Sequence, residues 1–172
     1  SRVPEELPLE SALLIEPYGC AKHAVDRAEI TSEDIVVLSG AGTLGLGMTT
    51  CARLCHPKQL IVLDMKEDRL AKAKEFGPGK EDVVSKIKEM TGGYGCDIYI
   101  EATGHPASVV QGMQMIRKLG TFVEFSVFAE PTTLDWSIIG DKKELDVRCS
   151  HISPYTYPFV IEHMTDGTLK TN

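Results

Sequence analysis

The most constraining feature of the sequence is the stretch from Ile35 to Asp64, which reads IVVLSGAGTLGLGMTTCARLCHPKQLIVLD. A short apolar run leads into three glycines, Gly40, Gly42 and Gly45. A segment with helical spacing follows, and a second apolar run ends at the aspartate, 19 positions after the third glycine. A strand, a glycine turn, a helix and a second strand ending in an acidic residue together predict a dinucleotide-binding unit.

Each glycine has a physical reason to occupy its place in such a unit. Gly40 allows the tight turn after the strand, and Gly42 lets the backbone approach a pyrophosphate because no Cβ stands in the way. Gly45 lets the helix pack closely on the sheet. The free N–H groups at the start of the helix then face the anionic phosphates.

Asp64 decides which dinucleotide the pattern favours. Its carboxylate can accept hydrogen bonds from both ribose hydroxyls of an adenosine, and its charge repels the 2′-phosphate of NADP. The pattern therefore predicts NAD rather than NADP. Lys66 and Arg69 argue in the other direction, since cations just after this strand are what a 2′-phosphate requires. An α/β unit that binds no nucleotide is the remaining alternative.

Length and charge limit the class of protein. A chain of 172 residues holds one α/β domain with a substantial core. The net charge of −7 argues against a nucleic-acid partner. No apolar run approaches the roughly 20 residues needed to span a bilayer, and the N-terminus does not have the order of a signal peptide. We therefore expect a cytoplasmic protein with neither a membrane nor a nucleic acid as partner.

The first thirty residues predict a linker followed by helices. Residues 1–10 are polar and contain two prolines, so we expect an entry linker there and a single domain over residues 11–172. Helical spacing runs from residue 11 to residue 30. Pro17 lies inside that span and predicts a break or kink, so we expect two short helices there.

Strands and helices alternate along the rest of the chain. Strands are predicted at Ile98–Ala102, Thr121–Val127 and Leu145–Ser150, with a helix over His105–Leu119. This alternation predicts a doubly wound parallel sheet with helices on both faces, the Rossmann fold of the α/β class. Ligands of such sheets bind at the carboxyl ends of the strands. The predicted contact surface is therefore Ser39–Gly45, Asp64, Ala102–Gly104 and Ser126–Phe128.

One strand of a complete fold of this kind is missing from the pattern. The third strand should follow the second crossover helix, but Gly77 runs into Pro78 with no apolar run around them. Either the edge strand was deleted, or residues between the two positions are missing from the sequence as it stands. We adopt the second hypothesis, which an ordinary Cα spacing of about 3.8 Å between the two residues would contradict.

Five ordered motifs link the sequence to a known family. They are IEPYGCAKHAV at 15–25, VVLSGAGTLGLG at 36–47, IVLDMKEDRLAKAKEFG at 61–77, TGGYGCDIYIEATG at 91–104 and RKLGTFVEFSV at 117–127. Together they resemble the medium-chain, zinc-dependent alcohol and polyol dehydrogenases, especially the sorbitol-type members. The resemblance covers the chain from Pro4 to Asn172. It implies an enzyme that transfers hydride between a sugar alcohol, or another alcohol, and NAD.

The resemblance also implies which residues hold the coenzyme. The assignments are Gly42, Thr43, Leu44 and Gly45 for the pyrophosphate, Asp64, Met65 and Arg69 around the adenosine, Ala102, Thr103 and Gly104 on the adenine side, and Ser126, Val127 and Phe128 on the nicotinamide side.

In this family a separate catalytic domain holds the zinc and most of the substrate pocket. The Gly-His-Glu zinc motif of that domain does not occur in this sequence, so we expect these residues to be the coenzyme domain alone, inactive by itself and without a catalytic residue. Glu16, in the Ile-Glu-Pro motif, is expected to lie near the zinc of the other domain. Family members also dimerise through the edge strand, here Leu145–Ser150, so a homo-oligomer is expected.

Two other functions are compatible with a glycine turn between strands. A stand-alone domain that senses NAD is the non-enzyme alternative. A methyltransferase that uses S-adenosylmethionine is the other, but it usually carries an acidic residue just before its glycines, where this sequence has Leu38 and Ser39.

Overall fold

A computed structural model describes residues 2–66, 68–69, 71 and 83–171 of the chain. Within them, five parallel strands form one sheet in the order β2-β1-β3-β4-β5. The strands are β1 at Ile35–Ser39, β2 at Gln59–Leu63, β3 at Cys96–Glu101, β4 at Ile116–Glu124 and β5 at Asp146–Cys149.

Six α-helices of the described residues connect or flank these strands. They are α1 at Leu9–Ala12, α2 at Ile15–Ala28, α3 at Thr43–Leu54, α4 at Val83–Met90, α5 at Pro106–Met115 and α6 at Tyr157–Thr165, and a 3-10 turn lies at Trp136–Ile138.

The sheet separates two apolar layers because alternate strand residues point to opposite faces. On one face, Leu38 and its neighbours pack with α2, α3 and α6. On the other face, Val37, Tyr99 and Phe122 pack with α4 and α5. The prediction of a doubly wound parallel sheet is therefore confirmed.

Pro17 does not break the helix as predicted. α2 runs without interruption from Ile15 to Ala28, and the proline is its third residue. The N–H groups of the first turn have no partner inside a helix, so a proline there removes no hydrogen bond. The chain breaks earlier, between α1 and α2, and α1 begins inside the stretch that was expected to be a linker.

The helix predicted over His105–Leu119 is shorter than expected. α5 ends at Met115, and Ile116 is already extended, with φ −66° and ψ 137°. The ammonium of Lys143 donates hydrogen bonds to three carbonyl groups at this helix end. A side chain far away in sequence thus satisfies the free carbonyls, which local spacing does not reveal.

One expectation about the strands is confirmed, and another concerns residues that the structure does not describe. The last strand lies at the sheet edge, as predicted, with β4 as its neighbour. The junction of Gly77 and Pro78, where a strand was expected to be missing, lies outside the described residues. Within the described part, no helix is long and apolar enough to cross a membrane.

Candidate functional site

The turn at residues 40–45, here called the glycine turn, is closed by contacts that only glycine allows. Gly40 has φ +112°, and a Cβ there would lie 2.6 Å from the carbonyl oxygen of Ala102. A Cβ on Gly45 would lie 1.9 Å from the carbonyl oxygen of Gly40. Real Cβ atoms do not approach backbone this closely. The two glycines therefore fix how tightly β1, α3 and the end of β3 pack together.

Gly42 differs from Gly40 and Gly45 because the position of a side chain there is open and not filled by backbone. It is the N-cap of α3, no side chain caps this helix end, and a Cβ there would meet only Arg69 Nη1, at 4.0 Å. The first N–H groups of the helix have no partner within the helix. A helix start with free donors and positive dipole charge is suited to an anion such as a pyrophosphate.

Asp64 ties the end of β2 to the glycine turn. Its Oδ2 accepts a hydrogen bond from the N–H of Ala41 at 2.8 Å, and its Oδ1 accepts one from the N–H of Lys66 at 2.9 Å. Arg69 Nη1 lies 3.6 Å from Oδ2. Burial raises the pKa of Asp64, but the two N–H donors and the guanidinium outweigh burial, so the pKa lies below its ordinary value. The side chain is therefore an anion with acceptor capacity left for further donors.

A second acidic side chain, Glu101, organises the turn that follows β3. It is fully buried, and its Oε1 accepts hydrogen bonds from both the N–H and the hydroxyl of Thr103. Its Oε2 accepts one from the N–H of Gly104 at 3.3 Å. The carboxylate thus replaces the sheet partners that the turn has lost.

Glu124 holds the matching place at the end of β4. Burial raises the pKa of its carboxyl group, the nearby Glu101 raises it further, and a hydrogen bond from the N–H of Ser126 opposes both. Its Oε1 is buried and receives no hydrogen bond from the described residues. The turns after β3 and β4 also touch, since a Cβ on Gly104 would lie 2.7 Å from the carbonyl oxygen of Val127. Residues 101–104 and 124–128 are called the acidic half of the site below.

Three buried hydroxyl groups connect β1, β3 and α5 beneath this edge. Tyr99 Oη lies 2.8 Å from Ser108 Oγ and donates to the carbonyl of Ser108 at 3.0 Å. Ser108 Oγ donates to Ser39 Oγ at 3.0 Å. Gly112 gives room for the tyrosine ring, because a Cβ there would lie 2.3 Å from it. The network fixes the residue from which the glycine turn departs.

The structure brings most of the predicted site residues to the carboxyl ends of the strands. The glycine turn contacts Asp64 on one side, where Arg69 lies beside the aspartate, and Ala102 on the other. Beyond Ala102, Gly104 continues the contact to Val127. The remaining predicted residues at this edge are Thr43 and Met65, which are exposed, Leu44, Ser126 and Phe128, which are half-buried, and Thr103, which binds Glu101. Their roles in binding stay predictions.

Glu16 is separate from this edge set in its contacts. It is exposed on α2, and its carboxylate accepts a hydrogen bond from the Cys20 thiol at 3.1 Å. Among the residues that the structure describes, no group of three or more His, Cys, Asp or Glu side chains is arranged to hold a metal ion. These residues therefore do not fit a zinc site by themselves.

Sequence reasoning predicted residues 102–104 and 126–128 of the acidic half but missed its two carboxyl groups, Glu101 and Glu124, and the hydroxyl network. Glu101 was read as part of a buried strand and Glu124 as part of the next one. The available signal was a charged residue at the end of an otherwise apolar strand, followed in each case by a small hydroxyl residue two positions later, Thr103 or Ser126. A buried carboxylate at a strand end requires donors, and the following turn supplies them.

Comparison with known proteins identifies the family. The family model described as zinc-binding dehydrogenase matches residues 43–166. The chain belongs to this family. The resemblance to zinc-dependent alcohol and polyol dehydrogenases is therefore confirmed.

Two curated members of similar sequence act on sugar alcohols by name. Erythritol/L-threitol dehydrogenase of Mycolicibacterium smegmatis is 45% identical, with the match covering 98% of the chain and 48% of that relative. Sorbitol dehydrogenase of Halalkalibacterium halodurans is 33% identical over 70% of the chain and 37% of its own length. The chain thus spans about half the length, or less, of these relatives.

A solved structure agrees with the fold. A putative zinc-binding dehydrogenase from Sinorhizobium meliloti, bound to NADP, matches with a TM-score of 0.89 and 25% identity. The match covers 98% of the chain and 52% of that protein. The similarity supports the Rossmann-type fold of a parallel sheet flanked by helices.

Proposed function

We propose that the chain is the NAD-binding part of a zinc-dependent dehydrogenase that transfers hydride between a polyol, or another secondary alcohol, and a nicotinamide coenzyme. The observation that carries the proposal is the junction of the open Gly42 helix start with the anionic Asp64. One element suits a pyrophosphate and the other suits an unphosphorylated ribose, which is the pairing that NAD requires.

The pyrophosphate is proposed to lie against the first turn of α3. Gly42 leaves room for it, and the N–H groups of Thr43, Leu44 and Gly45, the first three residues of α3, have no partner within the helix and can bind it. Arg69 stands beside Gly42 with its guanidinium partly exposed. A cation there adds attraction for phosphate oxygens.

The adenosine ribose is proposed to bind Asp64. Each carboxylate oxygen already accepts one N–H and has a lone pair left for a ribose hydroxyl. The same anion repels a 2′-phosphate, and its contact with Arg69 partly neutralises the cation that a 2′-phosphate would need. Met65, exposed beside it, and the turn at 102–104 are proposed to line the adenine. Because the similar Sinorhizobium protein binds NADP, a test of coenzyme preference must measure the binding of NADP as well as NAD.

The nicotinamide is proposed to lie at the end of β4. Val127 is 95% exposed there, an unusual position for an aliphatic side chain and one suited to cover a ring. Ser126 and Phe128 flank it. The coenzyme supplies the hydride acceptor when bound, and these residues hold its ring in place and exclude water from one side of it.

The substrate and the metal are proposals about the whole protein. The polyol names of the two curated relatives support a sugar alcohol as substrate. Zinc is proposed to be held outside these residues, with Glu16 turned toward it from α2, and residues 11–172 are proposed as the coenzyme domain. The side chains of Leu9 and Leu13, just before α2, are 72% and 71% exposed. Exposed leucines at this place support the proposal that another part of the whole protein packs against them.

The assembly is proposed to be a cytoplasmic homo-oligomer formed through β5. This strand lies at the sheet edge with β4 as its neighbour among the described strands, and a free edge is a template for pairing with a second copy. Light scattering across a wide concentration range tests this, because a constant monomer mass would contradict it.

Calorimetric titration of the protein with NAD and with NADP tests the proposed function. We expect a single site for NAD and weaker binding of NADP. Changing Asp64→Asn removes the charge, so the preference for NAD over NADP should shrink by about tenfold, or about 1.4 kcal/mol. Its NH₂ group would face one of the two N–H donors that Asp64 binds, so urea denaturation of the same sample checks that the variant stays folded. Binding of neither coenzyme would contradict the proposal, and tighter binding of NADP would overturn the role of Asp64.

A further inference from the structure

The last residues of three neighbouring strands form one polar row on the α5 face of the sheet. Ser39 of β1 is in register with Glu101 of β3, and Glu101 is in register with Glu124 of β4. The face is set by alternation, because Tyr99 and Phe122, two residues earlier on their strands, pack on that side. Neighbouring strands are about 4.8 Å apart, so the side chains of Glu101 and Glu124 extend from adjacent positions on the same face of the sheet.

The two members of the pair differ in their hydrogen bonds. Glu101 is fully buried and accepts three hydrogen bonds, from the N–H and hydroxyl of Thr103 and the N–H of Gly104. Glu124 has a buried oxygen, Oε1, to which no described residue donates. A buried acceptor without a donor, next to another anion, is costly. A proton on Glu124 would make this carboxyl group a hydrogen-bond donor and would remove its charge.

No cation of the described elements around the pair takes the place of that proton. α5, which covers this face, has the sequence PASVVQGMQM and no charged side chain. The Lys143 ammonium is bound at the carboxyl end of α5, near the start of β4, whereas Glu124 lies at the end of β4. The other titratable groups nearby are Cys149, exposed and in register with Glu124, and His105, whose Nδ1 accepts the Ala107 N–H.

We propose that Glu124 carries a proton beside the carboxylate of Glu101, and that the protonated Glu124 sets the spacing of the turns at 102–104 and 125–127 for coenzyme binding. The inference rests on the proposed function, because those two turns are the proposed adenine and nicotinamide contacts. Glu101 holds the first turn through Thr103 and Gly104. Glu124 is the last residue of β4, directly before the second turn, and the N–H of Ser126 in that turn lowers its pKa. Glu124 is thus a positioning residue.

The direction of the pH effect follows from the raised pKa of Glu124, caused by burial first and by Glu101 second. Below the raised pKa the pair carries one negative charge and the turns are held together. As pH rises through it, Glu124 ionises beside Glu101 and the two carboxylates repel each other, so folding stability and coenzyme affinity both fall. Each unit by which coenzyme binding raises that pKa corresponds to about a tenfold change in the dissociation constant.

The test measures the dissociation constant of NAD by calorimetry from about pH 4 to pH 8, a range that begins near the ordinary pKa of a glutamate carboxyl group and extends above it. In the unchanged protein the constant should rise several-fold with pH. Glu124→Gln mimics the protonated carboxyl, so it should bind NAD with the low-pH affinity throughout. Glu33→Gln removes an equally charged but exposed carboxylate before β1, and it should keep the pH dependence of the unchanged protein.

A pH dependence that persists in Glu124→Gln would overturn the inference. NMR titration of the glutamate side-chain carboxyl carbons tests it without coenzyme: Glu124 should titrate above the ordinary value of about 4.3, and titration at or below that value would overturn it. If the unchanged protein binds no NAD at any pH, the proposed function fails, while the NMR titration still decides whether the pair holds a proton.

Discussion

The glycine turn and the acidic half occupy one edge of the sheet but are built from different atoms. In the glycine turn, backbone packs on backbone, and Gly45 allows α3 to lie against the carbonyl of Gly40. In the acidic half, side chains hold the backbone, and Glu101 binds three donors of the following turn. The first arrangement depends on the absence of side chains and the second on their presence, so different substitutions should break them.

Gly45→Ala should have the largest effect. The new Cβ would lie 1.9 Å from a backbone oxygen that cannot move without displacing β1. We expect the free energy of unfolding to fall by about 3 kcal/mol, measured by urea denaturation. Gly140→Ala is the control, because no heavy atom lies within 4 Å of a Cβ there, and it should be near neutral. Equal stability of both variants would contradict the tight packing of the turn.

Glu101→Gln should break the acidic half with the next largest effect. A glutamine has one acceptor oxygen, whereas the turn presents donors to both carboxylate oxygens of Glu101. One donor then faces an NH₂ group, and the free energy of unfolding should fall by about 2 kcal/mol. Glu33→Gln, on the surface, is the matched control. A loss no larger than that of the control would mean that the carboxylate does not hold the turn.

Gly42→Ala should separate binding from folding within the glycine turn. Its Cβ has room in the free protein, so stability should change little. The same Cβ stands where the pyrophosphate is proposed to approach, so the dissociation constant of NAD should rise by about tenfold or more, or about 1.4 kcal/mol. Calorimetry and urea denaturation on the same samples check this. Unchanged affinity would place the pyrophosphate elsewhere.

Tyr99→Phe should give the smallest effect. It removes the hydroxyl that contacts Ser108 but keeps the ring in the space beside Gly112. A lost buried hydrogen bond should lower the free energy of unfolding by about 1 kcal/mol. Tyr94→Phe, with a side chain on the surface, should be neutral in the same thermal or urea denaturation. A neutral Tyr99→Phe would mean that the hydroxyl network adds nothing to stability.

The contrast between the two halves also explains what the sequence could predict. The glycine turn is local: its spacing within one stretch determines the strand, the turn and the helix start, and the structure confirms all three. The parallel sheet follows from the alternation of apolar runs and helices. Both features depend on residues that are near each other in the chain.

The features that sequence reasoning missed depend on partners far away in the chain. The end of α5 is set by Lys143, and Ser108 reaches Ser39 across 69 positions. The pairing of Glu101 with Glu124 depends on strand register, which single strands do not specify. The prediction that Pro17 breaks the helix was wrong for a different reason, because a proline in the first turn of a helix does not break it, and the start of α2 at Ile15 was not predicted.

A crystal structure of the protein with NAD tests the central claim most directly. The pyrophosphate oxygens should lie about 3 Å from the first N–H groups of α3. The adenosine ribose hydroxyls should bind the carboxylate of Asp64, and the nicotinamide ring should lie at Val127. An NAD molecule bound away from the glycine turn, or with its ribose turned away from Asp64, would contradict the assignment of this edge as the coenzyme site.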